Sequence, residues 1–444
     1  MNQGLILSVL LLLAIAEPSR AAMSLQEAIN TTLEKNPKTR ANDRRIEAMH
    51  ERTRAARMIF MPNFNANLGY SKSNSDSVFN GDRSNSNNSG TSYGVGVSVN
   101  LYNGGADKYA AQAAEDRERA QTERYNSTKG YILYTKGDMA KNTLEVYTEI
   151  INAKNEVLYY QEVQDNLKQI LVLAKTSNAK NLINSRINGY NTAALQAKFR
   201  LEQATKDFKY IVTVPAPEQL QTIDEVITSL VIPENSEKAF EVALQKSPDI
   251  KASNYSLQAN EHSYQSQRAA AYRPQIDVGV HQRHSNSNDN LDNSSTSNSV
   301  TLGITVSYNF SPKDIPGVSA AQKEVEAAQD EKDAALDDIA HELESAYPKL
   351  ENSLKLITNY NQAYQRAQNN IQNFLRNPPH DNTDAENYSS IATALSYVDS
   401  MDRQWGNLFM TKQSVLNQKF GIQKSVGTLF DDVKAAVIQS QIQK

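Results

Sequence analysis

The chain has 444 residues, 39% of them hydrophobic and 7% aromatic, with a formal net charge of -4 at pH 7 and a mean hydropathy of -0.59. This is lean for globular cores of that length and points to long, thin helical packing. The small net charge, without a Lys/Arg block, excludes a nucleic-acid surface, and the lack of cysteine excludes disulfides, thiolate metal sites and a lipidated N-terminal Cys.

The run LILSVLLLLAIA, Leu5–Ala16, is too short for a stable helical span. With Pro18 and the small residues after it, it reads as a secretory signal over residues 1–21, cleaved after Ala21, although no positive charge precedes Leu5. No later segment approaches eighteen consecutive apolar residues, so a membrane role falls to strands.

Residues 22–213 and 236–444 form two repeats joined by a linker, 214–235. EAINTTLEKNP (Glu27–Pro37) opens the first and KAFEVALQKSP (Lys238–Pro248) the second, both ending in Lys-x-Pro. A polar helix follows each opening, Lys38–Ile59 and Asp249–Ala271, and a second proline, Pro62 or Pro274, leads into a strand.

The strands alternate with period two. Hairpin 63–102 sets Phe64, Ala66, Leu68 and Tyr70 against polar neighbours; its return strand sets Tyr93, Val95, Val97, Val99 and Leu101 against Gly94, Gly96, Ser98 and Asn100. Hairpin 275–310 repeats this with Ile276, Val278 and Val280, then Leu302, Ile304, Val306 and Tyr308. The intervening Ser71–Ser92 and Arg283–Ser299 are so rich in Ser, Asn and Asp that they read as solvated loops.

The period then changes to helical. Residues 106–212 read as two long antiparallel helices broken only around Lys175–Asn191, and 316–441 as a second pair turning at Asn377–Asp384. At about 1.5 Å per residue, such helices reach on the order of 75 Å and persist only packed side by side. The linker Val214–Asn235, with three prolines, reads as a strap across them.

Four strands cannot close a barrel, since about eight is the smallest number that encloses a filled interior. An open sheet in lipid leaves backbone groups unpaired, so copies must share one barrel, and three copies supply twelve strands. The expected fold class is mixed α and β: a 12-stranded β-barrel shared by three copies, four strands per protomer, with long paired α-helices packed as coiled coils.

This architecture resembles the TolC family of outer-membrane channel-tunnels. The likeness rests on Ala28/Leu33/Asn36-Pro37 and its echo Ala239/Leu244/Ser247-Pro248, and on the junction Val99-Asn100-Leu101-Tyr102-Asn103-Gly104-Gly105. Gly189 with Thr192, Leu195 and Ala197, and Ser425-Val426-Gly427-Thr428-Leu429, add to it. The second junction, Tyr308–Pro312, lacks the paired glycines, and Asn377–Asp384 looks like an insertion.

The resemblance implies a homotrimer in outer-membrane lipid of a Gram-negative bacterium, its helical part in the periplasm, working with a periplasmic adaptor (membrane fusion) protein and an inner-membrane transporter. It implies no cofactor, no metal, no nucleic acid and no catalysis. Lipid-facing positions are then Tyr93, Val95, Val97, Val99, Leu101, Leu302, Ile304 and Val306, and Gly104 and Gly105 are the strand-to-helix hinge. In the family, carboxylates close the periplasmic end within a stretch like Ser390–Ser396; here Thr393 and Ser396 fall where those acids would stand. Asp399 and Asp402, one helix face apart by three residues, are the candidates for a displaced acidic constriction, the alternative being a solvated surface pair.

Other signals carry less. Gly94-Val95-Gly96 lacks the third glycine of a dinucleotide loop, Val99 standing there. His281 and His284 lack further ligands for a metal, and read as a pore-facing His281 beside a loop His284. EDRERAQTER, Glu115–Arg124, reads as i, i+4 pairing, and Tyr131, Tyr134, Tyr147, Tyr159 and Tyr160 as packing between helices. No catalytic constellation emerges.

The expected function is passive exit across the outer membrane for type I protein secretion, on the likeness of Val214–Ile250 to members that export large adhesins. The alternatives are the duct of a small-molecule efflux pump and, in another class, a periplasmic or surface coiled-coil structural protein.

Overall fold

The computed structural model describes residues 22–79, 82–127, 135–289, 294–308, 311–380 and 383–430. The signal segment 1–21, Tyr131, Tyr134, Phe310 and the chain beyond residue 430 lie outside them.

Each repeat begins with the same device. Helix α1 (Leu25–Lys35) starts at Ser24, whose hydroxyl accepts from the Glu27 amide while the Glu27 carboxylate accepts from the Ser24 amide. It ends at Asn36, extended at ψ 128° as a residue before proline must be. Pro37 then opens α2 (Pro37–Arg57), the first helical position being where a missing N–H costs least. In the second repeat α7 (Ser236–Lys246) stops at Ser247, ψ 123°, and Pro248 opens α8 (Pro248–Tyr272).

Between these lie β1 (Asn63–Phe79), β2 (Asp82–Asn103), α3 (Ala106–Asn126), α4 (Lys136–Leu173), α5 (Ser177–Val212) and the short α6 (Ile223–Ser229). After α8 come β3 (Gln275–Asp289), β4 (Ser294–Ser307), α9 (Asp314–Arg376) and α10 (Asp384–Val426). No helix among the described residues is long and apolar enough to cross a membrane.

The chain divides into two compact units, one from Met1–Arg45, Thr122–Lys251 and Ala334–Lys444, the other from Ile46–Gln121 and Ala252–Asp333. In the first, α4 and α5 form an antiparallel pair with Tyr147 and Phe208 buried between them. The linker crosses this pair: Ile223, Val226 and Leu230 are buried against it, and the Tyr147 hydroxyl donates to Met23 O and accepts from the Gln221 amide. A second cluster joins Val163, Leu167 and Ile170 of α4 to Ile183 of α5, Ile371 of α9 and Ile391 of α10. Gly427 ends α10 in the left-handed region at φ 82°, where its missing side chain admits the Lys246–Ser247 backbone.

In the second unit the four strands form one antiparallel sheet in the order β1-β2-β3-β4. Polar contacts tie its helices: His50 hydrogen-bonds Glu118 at 2.9 Å, Arg57 pairs with Glu115 at 2.7 Å, and His262 hydrogen-bonds the buried Asp116 at 2.8 Å. Within the Glu115–Arg124 run, the i, i+4 reading holds for Glu115–Arg119 at 2.6 Å; Glu115, Asp116 and Glu118 also reach neighbouring helices.

Three expectations need correction. The stretch 106–212 breaks before Lys136, where Thr135 caps a new helix, and turns at Ala174–Thr176; Gly189 lies inside α5 with open space around it. Ser71–Ser92 and Arg283–Ser299 are not loops. β1 and β2 stay paired from Ser71↔Gly90 to Phe79↔Asp82, and β3 and β4 from Arg283↔Ser299 to Asn288↔Ser294. His284 therefore sits within a strand, its ring stacked on Tyr93 at 4.6 Å.

Candidate functional site: a two-faced sheet and a cross-linked helix group

The pairing register assigns each strand residue to a face. Phe64, Val97, Val280 and Leu302 lie in one row across the sheet; Val99, Val278 and Ile304 lie in the next, and Tyr102, Ile276 and Val306 in another. Directly paired residues point the same way, so these rows make one continuous apolar face. It is left bare: Phe64 is 77%, Leu68 85%, Leu302 73% and Ile304 72% exposed, which in an isolated soluble sheet would be an uncovered core.

Tyr93, Val95, Val97 and Val99 share that face with Leu302, Ile304 and Val306. Leu101 falls at a register shift between Asn100 and Tyr102, so Tyr102, not Leu101, pairs with Ile276. The opposite face carries Asn65, Gly96, Ser98, Asp277, Gly279, His281 and Thr305, and Asn100 donates to the Asp277 carboxylate at 2.9 Å. The ring of His281 lies across the space that a side chain at Gly96 would fill.

The upper edge of the apolar band steps down from Tyr70 in β1 to Tyr93 in β2 and Val280 in β3, and rises one row at Val300 in β4, which pairs with Gln282.

At the foot of β2, Gly104 and Gly105 take φ 60° and 84°, and the chain turns from strand to α3. The Arg273 guanidinium donates to Gly104 O at 2.8 Å, and Asn103 donates to the Asp107 carboxylate at 3.1 Å. The turn is thus held by Arg273, the residue after α8, and by the Asn103–Asp107 hydrogen bond between β2 and α3.

In the other unit, Thr393 and Ser396 of α10 donate to carbonyls of their own helix. Asp399 and Asp402 are engaged with other helices: the Arg186 guanidinium of α5 donates to Asp399 at 2.9 Å, and the Tyr159 hydroxyl of α4 donates to Asp402 at 3.1 Å. Tyr159 is buried and stacks on Trp405 at 4.2 Å, nearly coplanar. Burial pushes the Asp402 carboxyl up, the Tyr159 hydrogen bond and Arg186 opposing and the Asp399 charge adding. Burial likewise pushes the Tyr159 phenol well above its ordinary value. Tyr159 was legible as packing, but its hydroxyl's role was not, and no sequence spacing links Arg186 to Asp399.

A bare apolar sheet face with a polar reverse and, among the described residues, two open edges is what the wall of a membrane channel needs. A sequence-family model described as outer membrane efflux protein matches residues 28–180 and 239–375. The chain belongs to the outer membrane efflux protein family. No curated protein sequence matches it. Among solved structures it is similar to VceC, an outer membrane protein of Vibrio cholerae, at 10% identity over 91% of this chain and 96% of that one, TM-score 0.65. It is also similar to the Neisseria gonorrhoeae outer membrane channel MtrE, at 16% identity over 91% and 89%, TM-score 0.62. A third is the Campylobacter jejuni outer membrane channel CmeC, at 15% over 93% and 88%, TM-score 0.59. These likenesses establish the shared fold.

Proposed function

We propose that three copies of this chain close one 12-stranded barrel in the outer membrane of a Gram-negative bacterium, giving a passive exit duct. The observation that carries this is the open sheet: among the described residues its outer strands β1 and β4 each lack a neighbour on one side, and its exposed apolar face suits lipid. Pairing β1 of one copy with β4 of the next removes the open edges. The helices then project into the periplasm as a tunnel, reached by an inner-membrane transporter through an adaptor protein.

Type I protein secretion is the reading favoured by the linker and α7, Val214–Ile250, which resemble members exporting large adhesins. Small-molecule efflux is the second reading, favoured by the family's description. Asp399 and Asp402 are assigned to the periplasmic entrance, where an acidic ring confers cation preference.

On an unheated gel the membrane-extracted protein migrates as a heat-sensitive trimer; a soluble monomer would overturn the channel. Deleting the gene separates the two readings, loss of a secreted protein marking secretion and increased drug sensitivity marking efflux. Replacing Asp399 and Asp402 by Asn lowers cation selectivity in a planar bilayer; unchanged selectivity removes them from the entrance.

A further inference from the structure

The Ser/Asn-rich segments have an order that composition hides. In β1 the run Ser71, Ser73, Ser75 alternates with Lys72, Asn74, Asp76; in β3 Ser285 and Ser287 alternate with Asn286 and Asn288. Because these stretches are paired strands, the alternation sorts them by face. Ser71 and Ser73 follow Asn65 and Asn67 on the polar face, and Ser287 meets Ser295 there, hydroxyl to hydroxyl at 2.8 Å. Asn74 pairs with Asn87, Asn286 with Thr91 and Thr296, and Asn288 with Ser89. These follow Tyr70 and Tyr93 on the apolar face. Asn298, on the same face, hydrogen-bonds His284 across β3 and β4.

Serine thus predominates on the continuation of the polar face, interrupted by Asn88 and Arg283, while Asn74, Asn87, Asn286, Asn288 and Asn298 gather on the continuation of the apolar one, among Ser and Thr. From Tyr70, β1 runs nine residues further to Phe79, on the order of 30 Å of strand at about 3.4 Å per residue. This exceeds what is needed to end a hairpin at the edge of an apolar band.

We infer that the Asn-bearing face above the apolar band is a binding surface for the saccharide headgroup of the outer-leaflet glycolipid. The inference rests on the proposed orientation of the sheet in the membrane. A face that meets acyl chains at Phe64–Tyr70 meets, one row further out, the headgroups joined to those chains. Each carboxamide offers two donors and an acceptor, matching the dense hydroxyls of a sugar. Formal charge there is limited, among the described residues, to Lys72 and Asp76, which flank Asn74, and Arg83 at the register position opposite Val78, so carboxamides and hydroxyls outnumber charges. The short hydroxyls of the opposite face leave a duct unobstructed.

The test uses the full chain extracted from outer membranes, with lipopolysaccharide measured per trimer after purification. The variant Asn74→Ala/Asn286→Ala/Asn288→Ala is compared with Ser73→Ala/Ser285→Ala/Ser287→Ala on the opposite face, and Asn286→Ala alone serves if the triple variant does not fold. Single-channel conductance is recorded for each. The expected result is a several-fold loss of retained glycolipid in the Asn variants only, at unchanged conductance, and no difference between variants in membranes whose glycolipid lacks its outer sugars. Equal retention by the Asn variants and the unmodified chain, or equal loss by the Ser variant, overturns the inference and leaves the channel standing. Absence of conductance in the unmodified chain overturns the channel reading itself.

Discussion

Gly104 shows how much one missing side chain can decide. At φ 60° a Cβ is already strained, and here it would stand 2.5 Å from the Arg273 Cβ and 2.8 Å from Ala269 O. Gly104→Ala is expected to cost roughly 1 to 3 kcal/mol from backbone strain and to lower the temperature at which the oligomer dissociates on a gel. Gly303→Ala is the control, since a Cβ there meets nothing within 4 Å. The paired glycines were legible as a hinge because only glycine takes such angles freely. The Arg273 anchor was not, because it stands 169 positions away in sequence, just past the end of α8.

Asp402 is the residue-scale case for pH. Its carboxyl is raised by burial, so the folded chain holds that proton more tightly than the unfolded chain. Its contribution to stability is full below the ordinary carboxylate range and is lost as pH rises through the raised value. Asp402→Asn keeps an acceptor for the Tyr159 hydroxyl without a charge. The variant should therefore lose part of the pH dependence of thermal unfolding in the mildly acidic range just above the ordinary carboxylate value; an unchanged profile would show that Asp402 does not titrate differently on folding.

At the level of elements, the two openings that end in Lys-x-Pro were legible, whereas the helix start at Thr135 and the strand ends were not. Thr135 accepts from the Asp138 amide at 3.1 Å while the Asp138 carboxylate accepts from the Thr135 amide at 3.3 Å. That Thr-x-x-Asp start was present in the sequence, with Gly130 and Gly137 beside it, but the long Ala-, Glu-, Lys- and Gln-rich runs on either side outweighed them. Thr135→Ala should cost about 1 kcal/mol, seen as a lower denaturant midpoint, whereas Thr135→Ser should lie near the parent. The reverse error befell the Ser/Asn runs. Polar strands with both faces wet give no hydrophobic alternation, and Ser and Asn are poor strand formers alone. What pairs them is continuation of a register set by the apolar rows below. The sequence did hold one sign, since Asn-Gly stands between the paired Phe79 and Asp82, the strongest short hairpin signal.

At the scale of the whole molecule, the sheet makes sense only as part of something larger, and its two faces yield opposite outcomes for the same substitution one residue apart. Val97 lies among Phe64, Val280 and Leu302 on the bare apolar face, and Ser98 lies across from Gly279 on the reverse. If three copies close the barrel in lipid as proposed, an arginine at Val97 should cost roughly 2 to 4 kcal/mol per copy and should abolish the heat-sensitive oligomer. An arginine at Ser98 should assemble normally and lower single-channel conductance, because its charge and bulk enter the lumen three times over. If the sheet were instead a soluble layer covered by another part of the chain, Val97→Arg would still destabilise, but Ser98→Arg would leave no trace in conductance. The paired measurement therefore tests orientation and closure together, and equal tolerance of both substitutions would rule out lipid on the Val97 face.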